Sequence, residues 1–142
     1  MIKRKSVDFV KYGAHALAQK TMYWNEPISE FNARYPNVLE SCVNVPFQKY
    51  GGKDLYKSLE AKAAILFYLF IKNHPFQNGN KRVAITTLLL FLLINKKWLS
   101  VNETVLYNTA VWVAQSPPDA KDEVVSFIAR FVRKYLVDEK EK

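Results

Sequence analysis

The chain has 142 residues, of which 49% are hydrophobic and 24% charged, so we expect one domain over residues 1–142 and exclude a disordered chain. The single cysteine, Cys42, excludes an intrachain disulfide and favours a reducing, cytoplasmic location. One cysteine and two histidines argue against a zinc site made from side chains alone. The net charge of +8 is compatible with nucleic acid, a phosphate-rich ligand or an acidic protein as partner.

Neither a signal peptide nor a membrane span is predicted. The basic residues 1–6 are not followed by an apolar run. The longest strongly apolar stretch, Val83–Ile94, is shorter than the roughly 20 residues that a spanning helix needs. Lysines and arginines are scattered along the chain without a helix-turn-helix pattern. We therefore expect neither a membrane nor a nucleic acid as partner.

Most of the chain has helical periodicity. The two predicted helices on either side of residues 73–79 are the most strongly apolar elements. They are apolar around almost their whole circumference, as expected for helices buried on most sides. Residues 116–118 separate the last two helices. The predicted helices are Ser6–Gln19, Pro27 to about Ala33, a segment that Pro36 either breaks or restarts, Asp54 or Leu55 to about Lys72, Asn80–Asn95, and roughly Val101–Gln115 and Asp119–Val137.

A different pattern occupies residues 43–54. Hydrophobic residues alternate from Val43 to Phe47, which is the period of a strand, and Gly51-Gly52 is typical of a turn. Pro46 restricts this element to a sheet edge or an isolated hairpin. The predicted fold class is therefore all-α, a compact helical bundle with one small β-hairpin.

The loop between the two most apolar helices is polar, and we expect it to form the functional site. Gly79 allows a tight turn, and Asn80 is a favoured N-cap residue for the following helix. The first N–H groups of a helix attract anions, and Lys81 and Arg82 add positive charge where cations are normally unfavourable. The pattern therefore predicts a phosphate site.

His74 precedes this site, and Phe76 is the predicted anchor of the loop in the core. An imidazole with an ordinary pKa of about 6.5 is suited to general-base catalysis at neutral pH. Structural alternatives remain open: His74 as a helix end or surface residue, Gly79-Asn80 as ordinary capping, and Lys81-Arg82 as a solvated helix start. His15, in the first helix, is expected to be structural.

The loop resembles the signature of the Fic/Doc superfamily, H-P-F-x-[D/E]-G-N-[G/K]-R, over residues 74–82, which read HPFQNGNKR. Upstream, residues 39–46, 51–52, 54–56 and 61–64 resemble the death-on-curing (Doc) branch. The resemblance implies a compact Fic-like fold. It also implies transfer of part of a nucleoside triphosphate such as ATP to a hydroxyl group of a protein substrate.

The resemblance implies a role for each matching residue. His74 is the general base, and Phe76 is structural. Gly79, Asn80, Lys81 and Arg82 hold the nucleotide's phosphates. A flap that aligns the target peptide by strand addition corresponds to Val43, Asn44, Val45, Pro46 and Phe47.

Two positions distinguish the reactions within the superfamily. Lys81 replaces the glycine of the AMP-transferring branch and matches Doc-type members, which transfer the γ-phosphoryl group. Ile85 stands where the AMP-transferring pattern has a second arginine. The resemblance therefore implies a Doc-like toxin of a toxin–antitoxin pair, acting on a translation elongation factor. Protein adenylylation is the alternative.

Asn78 stands where most members have a Mg²⁺-binding Asp or Glu. An amide oxygen can ligate Mg²⁺ but brings no negative charge. The resemblance therefore implies Mg²⁺ as a weakened cofactor, and it leaves open a catalytically weak Fic-like module that binds proteins. The family's self-inhibitory motif, [S/T]-x-x-x-E-[G/N], is absent from the chain. The expected inhibitor is therefore an antitoxin in trans with an acidic segment.

Overall fold

A computed structural model describes residues 9–21, 30–31 and 34–139 of the chain. This part is mainly helical with two short antiparallel strand pairs, which confirms the predicted fold class. Helix α1 is a π-helix over Val10–His15 and an α-helix over Ala16–Thr21; the others are α2 (Pro36–Asn44), α3 (Leu59–Lys72), α4 (Asn80–Ile94), α5 (Glu103–Gln115) and α6 (Lys121–Tyr135). The strands are β1 (Lys49–Tyr50), β2 (Lys53–Asp54), β3 (Lys97–Leu99) and β4 (Leu136–Asp138).

Two of the predicted helices fall partly outside the described residues. The start of the first helix, predicted at Ser6, lies outside them. So does nearly all of the second helix, predicted from Pro27. Of the two alternatives predicted for Pro36, the structure shows a helix start: Pro36 is the first residue of α2, where its fixed φ suits a helix.

Helix α3 forms the centre of the core. Every residue from Lys62 to Ile71 is buried, because α3 packs against α2, α4, α5 and α6. This confirms the prediction of a helix buried on most sides. Helix α6 covers α3 with a single apolar stripe in which Val124, Ile128 and Val132 are buried at a spacing of four residues.

Helix α3 begins at Leu59, later than predicted, because Ser58 caps it by accepting a hydrogen bond from the Ala61 N–H at 3.0 Å. The buried Lys62 then ties the preceding segment to α3. Its Nζ lies 3.2 Å from Asp54 Oδ2 and donates to the Tyr56 carbonyl. The buried cation is thus paired with a partly exposed carboxylate and a backbone carbonyl, which is the condition for a charge to be tolerated in a core.

The predicted strand over residues 43–47 is wrong. Val43 and Asn44 are the last residues of α2, and Val45, Pro46 and Phe47 form a 3-10 turn. Val43 lies on the buried face of α2, four residues after the buried Leu39, and the fixed φ of a proline at position 46 suits a helical turn. The hairpin is confined to β1 and β2, joined by Gly51 and Gly52 at φ of +59° and +81°.

The target-aligning role predicted for residues 43–47 stays a prediction, now for a segment that is not a strand. Val43 and Asn44 end α2, and the next three residues form the 3-10 turn. The Phe47 ring packs 6.1 Å from the ring of Phe91. Phe91 lies about 16 Å along the axis of α4 from its first residue, Asn80, at 1.5 Å per residue. Residue 47 is thus anchored far from the end of α4 that carries the motif.

A second strand pair, β3 with β4, was not predicted. Trp98 pairs with Val137, a residue that was predicted to be helical, because α6 ends at Tyr135. The Ser100 N–H donates to the Tyr135 carbonyl at 2.8 Å and extends this contact. Across the described residues, none of the helices combines the length and apolar character that crossing a bilayer requires.

Candidate active site

His74 directly follows the C-terminal cap of α3, Asn73, and is exposed. Its φ of +50° lies in the left-handed region. That conformation often ends a helix but usually belongs to glycine, and it costs other residues about 1–2 kcal/mol. His74 thus occupies the helix-end position that was one of its structural alternatives. Two features distinguish it from an ordinary residue at a helix end: its strained backbone conformation and its side-chain contact with Asn80.

Asn80 brings the two ends of the motif together. Its Nδ2 lies 3.3 Å from His74 Nδ1, although the two residues are separated by the whole loop. The same amide holds the loop closed, because Oδ1 accepts from the Phe76 N–H at 2.9 Å and Nδ2 donates to the Phe76 carbonyl at 2.8 Å. Asn80 is only 5% exposed, so these bonds satisfy a buried group.

The prediction that Asn80 is the N-cap of α4 is wrong. Gly79 occupies that position with φ +78°, and Asn80 is the first helical residue. The Asn80 side chain turns back to Phe76, and Gly79 has no side chain with which to cap α4. The positive φ explains why glycine precedes the helix.

The first turn of α4 carries two cations and no acidic residue. Lys81 is half-buried and Arg82 is only 3% exposed. Cations at a helix N-terminus oppose the helix dipole by a few tenths of a kcal/mol each, and a bound anion would reverse that sign. Ile85, one turn later, is fully buried in the core.

Phe76 fills the core beneath the loop. Its side chain is fully buried, and its ring lies 4.9 Å from the ring of His15 and 5.7 Å from that of Phe31. His15 is 2% exposed, and its ring also meets Phe31 edge-on at 5.4 Å. The rings of His15, from α1, and Phe31 thus pack together against the Phe76 ring of the motif loop.

One backbone contact at this site was not anticipated. The Tyr35 N–H donates to the Pro75 carbonyl at 2.8 Å, so the start of α2 is attached to the motif loop. Tyr35 is itself half exposed, at 50%. The sequence signal for this region was Pro36, which indicated where α2 begins. It did not indicate what the N-cap residue, Tyr35, would contact.

Asn78 is exposed in the loop, before Gly79. Its amide offers one neutral oxygen to a cation. Within residues 9–21, 30–31 and 34–139, no group of three or more His, Cys, Asp or Glu side chains is arranged to hold a metal ion. A Mg²⁺ held by this amide would need phosphate oxygens and water as its main ligands.

Other chemically notable groups lie away from the motif. Cys42 is fully buried in α2, and burial raises the pKa of its thiol to about 12, as expected for an inert core cysteine. Two apolar cavities of about 420 Å³ flank Trp112 at the surface between α5 and α6, one lined by Phe127 and the other by Val124. Neither cavity is lined by a motif residue.

The comparison with protein families agrees with this site. The model of the Fic/DOC family matches residues 8–92, more than half of the chain and all of the motif loop. The chain therefore belongs to the Fic/DOC family, whose members are typically transferases that modify proteins. No curated protein and no solved structure matched the sequence.

Proposed function

We propose that this chain is a Doc-like toxin that transfers the γ-phosphoryl group of ATP to a hydroxyl group of a target protein. The observation that carries the proposal is the 3.3 Å contact between His74 Nδ1 and Asn80 Nδ2. It joins a candidate base to the first residue of a helix whose N-terminal turn carries two cations. A base and an anion site side by side are what phosphoryl transfer to a hydroxyl requires.

Each motif residue has a defined task in this proposal. His74 removes the proton of the attacking hydroxyl. The first N–H groups of α4, with Lys81 and Arg82, hold the phosphates and stabilise the negative charge that spreads over them in the transition state. Phe76 keeps the loop in place. The reaction breaks the bond between the β,γ-bridging oxygen and the γ-phosphorus, forms a bond from the target oxygen to that phosphorus, and leaves ADP.

Mg²⁺ fits this site as a companion of the nucleotide. Asn78 Oδ1 would hold it together with phosphate oxygens, and the ion would neutralise part of the phosphate charge. Because Asn78 contributes no negative charge, the affinity for Mg²⁺ depends on the nucleotide more than on the protein.

Two residues favour phosphoryl transfer over the alternative, transfer of AMP. Ile85 is an uncharged residue that is fully buried in the core. It therefore supplies no cation where the AMP-transferring pattern has its second arginine. Lys81 supplies a cation in the first turn, where that pattern has glycine.

The choice of transferred group is tested with two radiolabels. The purified chain is incubated with a bacterial lysate and Mg²⁺, and with ATP labelled at either the γ- or the α-phosphate. We expect label on protein only from γ-labelled ATP. Label from the α-phosphate alone would replace the proposal by AMP transfer. Label from neither, together with no nucleotide binding in titration calorimetry, would favour the protein-binding module.

The catalytic assignment is tested by substitution in the same assay. We expect His74→Ala and Arg82→Ala each to lower transfer at least roughly tenfold, because removing a general base costs about 10²–10⁴ and a charge donor about 10²–10³. The matched control is Gln77→Ala, because Gln77 is an exposed residue of the same loop with no assigned task. Arg82 is buried, so circular dichroism must show that its variant is folded. Equal loss in the control would refute the assignment.

The partners follow from the reaction. A protein carries the accepting hydroxyl, which by resemblance belongs to a translation elongation factor. The antitoxin is proposed to act in trans with an acidic segment, because the chain is basic and contains no self-inhibitory motif. The cytoplasm is the proposed location, since it supplies both ATP and that target.

A further inference from the structure

Two backbone hydrogen bonds determine which end of the Asn80 amide faces His74. Oδ1 accepts from the Phe76 N–H, and Nδ2 donates to the Phe76 carbonyl. If the amide oxygen and nitrogen exchanged places, the NH₂ group would face the Phe76 N–H, donor against donor. The amide oxygen would face the Phe76 carbonyl, acceptor against acceptor. The amide is 5% exposed, so water cannot compensate for that loss. The atom 3.3 Å from His74 Nδ1 is therefore the amide nitrogen.

This orientation limits the protonation of the imidazole. The Asn80 Nδ2 has two hydrogens, one for the Phe76 carbonyl and one for His74, and it has no lone pair with which to accept. A neutral imidazole has one donor and one acceptor nitrogen, so Nδ1 must be the acceptor. We infer that Asn80 is a positioning residue that keeps neutral His74 in the tautomer protonated at Nε2.

The inference deepens the proposed function and rests on it only for the role of His74 as base. In this tautomer the lone pair is on Nδ1, beside Asn80, and Nε2 is a donor. A target hydroxyl can transfer its proton to Nδ1 once the Asn80 N–H has been displaced. It can instead transfer it to Nε2 after the ring proton has moved to Nδ1, which also requires Asn80 to withdraw. Either route predicts that Asn80 releases His74 before proton transfer.

The tautomer is measured by nitrogen NMR of the ligand-free, ¹⁵N-labelled chain at a pH where His74 is neutral. The chain has only two histidines, so the spectrum of His74→Gln assigns the ring signals. We expect a pyridine-type shift for His74 Nδ1 and a pyrrole-type shift for Nε2, from a single tautomer. A mixture of tautomers, or a pyridine-type Nε2, would overturn the inference.

Substitution of Asn80 tests the cause. In Asn80→Asp the carboxylate accepts a hydrogen bond, so we expect the His74 proton to move to Nδ1 and the two shifts to exchange character. The matched control is Asn73→Asp, which adds the same charge at the exposed residue next to His74 and should leave the tautomer unchanged. An unchanged tautomer in a folded Asn80→Asp protein would refute the role of Asn80.

The fold of each variant is monitored by His15, whose ring packs against Phe76. If the signals of His15 show that Asn80→Asp is unfolded, the wild-type spectrum alone decides the inference. These spectra involve no nucleotide. A single Nε2-protonated tautomer without phosphoryl transfer would therefore leave this inference standing and remove only the proposed function.

Discussion

Removal of the Phe76 ring should destabilise the chain more than removal of any ring at its surface. The side chain is fully buried and meets the rings of His15 and Phe31 at 4.9 and 5.7 Å. Truncation of a buried phenylalanine to alanine costs about 3–5 kcal/mol. The unfolding entropy of 142 residues is about 0.3 kcal/mol per kelvin, so Phe76→Ala should lower Tm by about 10–17 °C.

Thermal and urea unfolding followed by circular dichroism measure this change. The matched control is Phe127→Ala, since Phe127 is 39% exposed and should cost about 1 kcal/mol. Phe76→Leu, which keeps much of the volume, should cost less than about 1.5 kcal/mol and remain folded if the alanine variant does not. A loss under about 1 kcal/mol for Phe76→Ala, or an equal loss in the control, would show that the loop is not anchored in the core as described.

The remaining predictions concern backbone strain and pH. Because His74 has φ +50°, His74→Gly should be about 1 kcal/mol more stable than His74→Ala, the reverse of their order at an ordinary helical site. Urea unfolding decides this, and equal or lower stability of the glycine variant would contradict the left-handed backbone. The Cys42 thiol has a pKa of about 12 when folded and 9 when unfolded, so the unfolded state loses its proton first and stability falls between pH 9 and 12. The fall should reach about 2 kcal/mol by pH 10.5 and be absent from Cys42→Ala; parallel pH profiles for the two proteins would refute it.

The helical part of the fold was predictable because it follows from periodicity. The two most apolar segments are the buried helices α3 and α4, and the spacing of Val124, Ile128 and Val132 gave the stripe of α6. Helix boundaries were less predictable, because they depend on caps. The hydroxyl of Ser58, for example, moved the start of α3 to Leu59.

The strand prediction failed and the second strand pair was missed because local sequence patterns do not record tertiary packing. Alternation from Val43 to Phe47 fits a strand, but the first and last of these residues are four positions apart and would also share one face of a helix. The choice was made by packing, which buries Val43 at the end of α2 and sets Phe47 against Phe91. The β3–β4 pair joins residues about 40 positions apart, so no local pattern could indicate it.

The order of residues in the loop was enough to indicate a base, a glycine turn and two cations at a helix start. Sequence could not say how the Asn80 side chain is used, since an asparagine is equally suited to cap a helix or to close a loop. That decision depended on the buried Phe76, which brings its backbone within reach of the amide and so turns Asn80 towards His74. Local chemistry determined which groups are present, whereas their mutual orientation was determined by long-range packing.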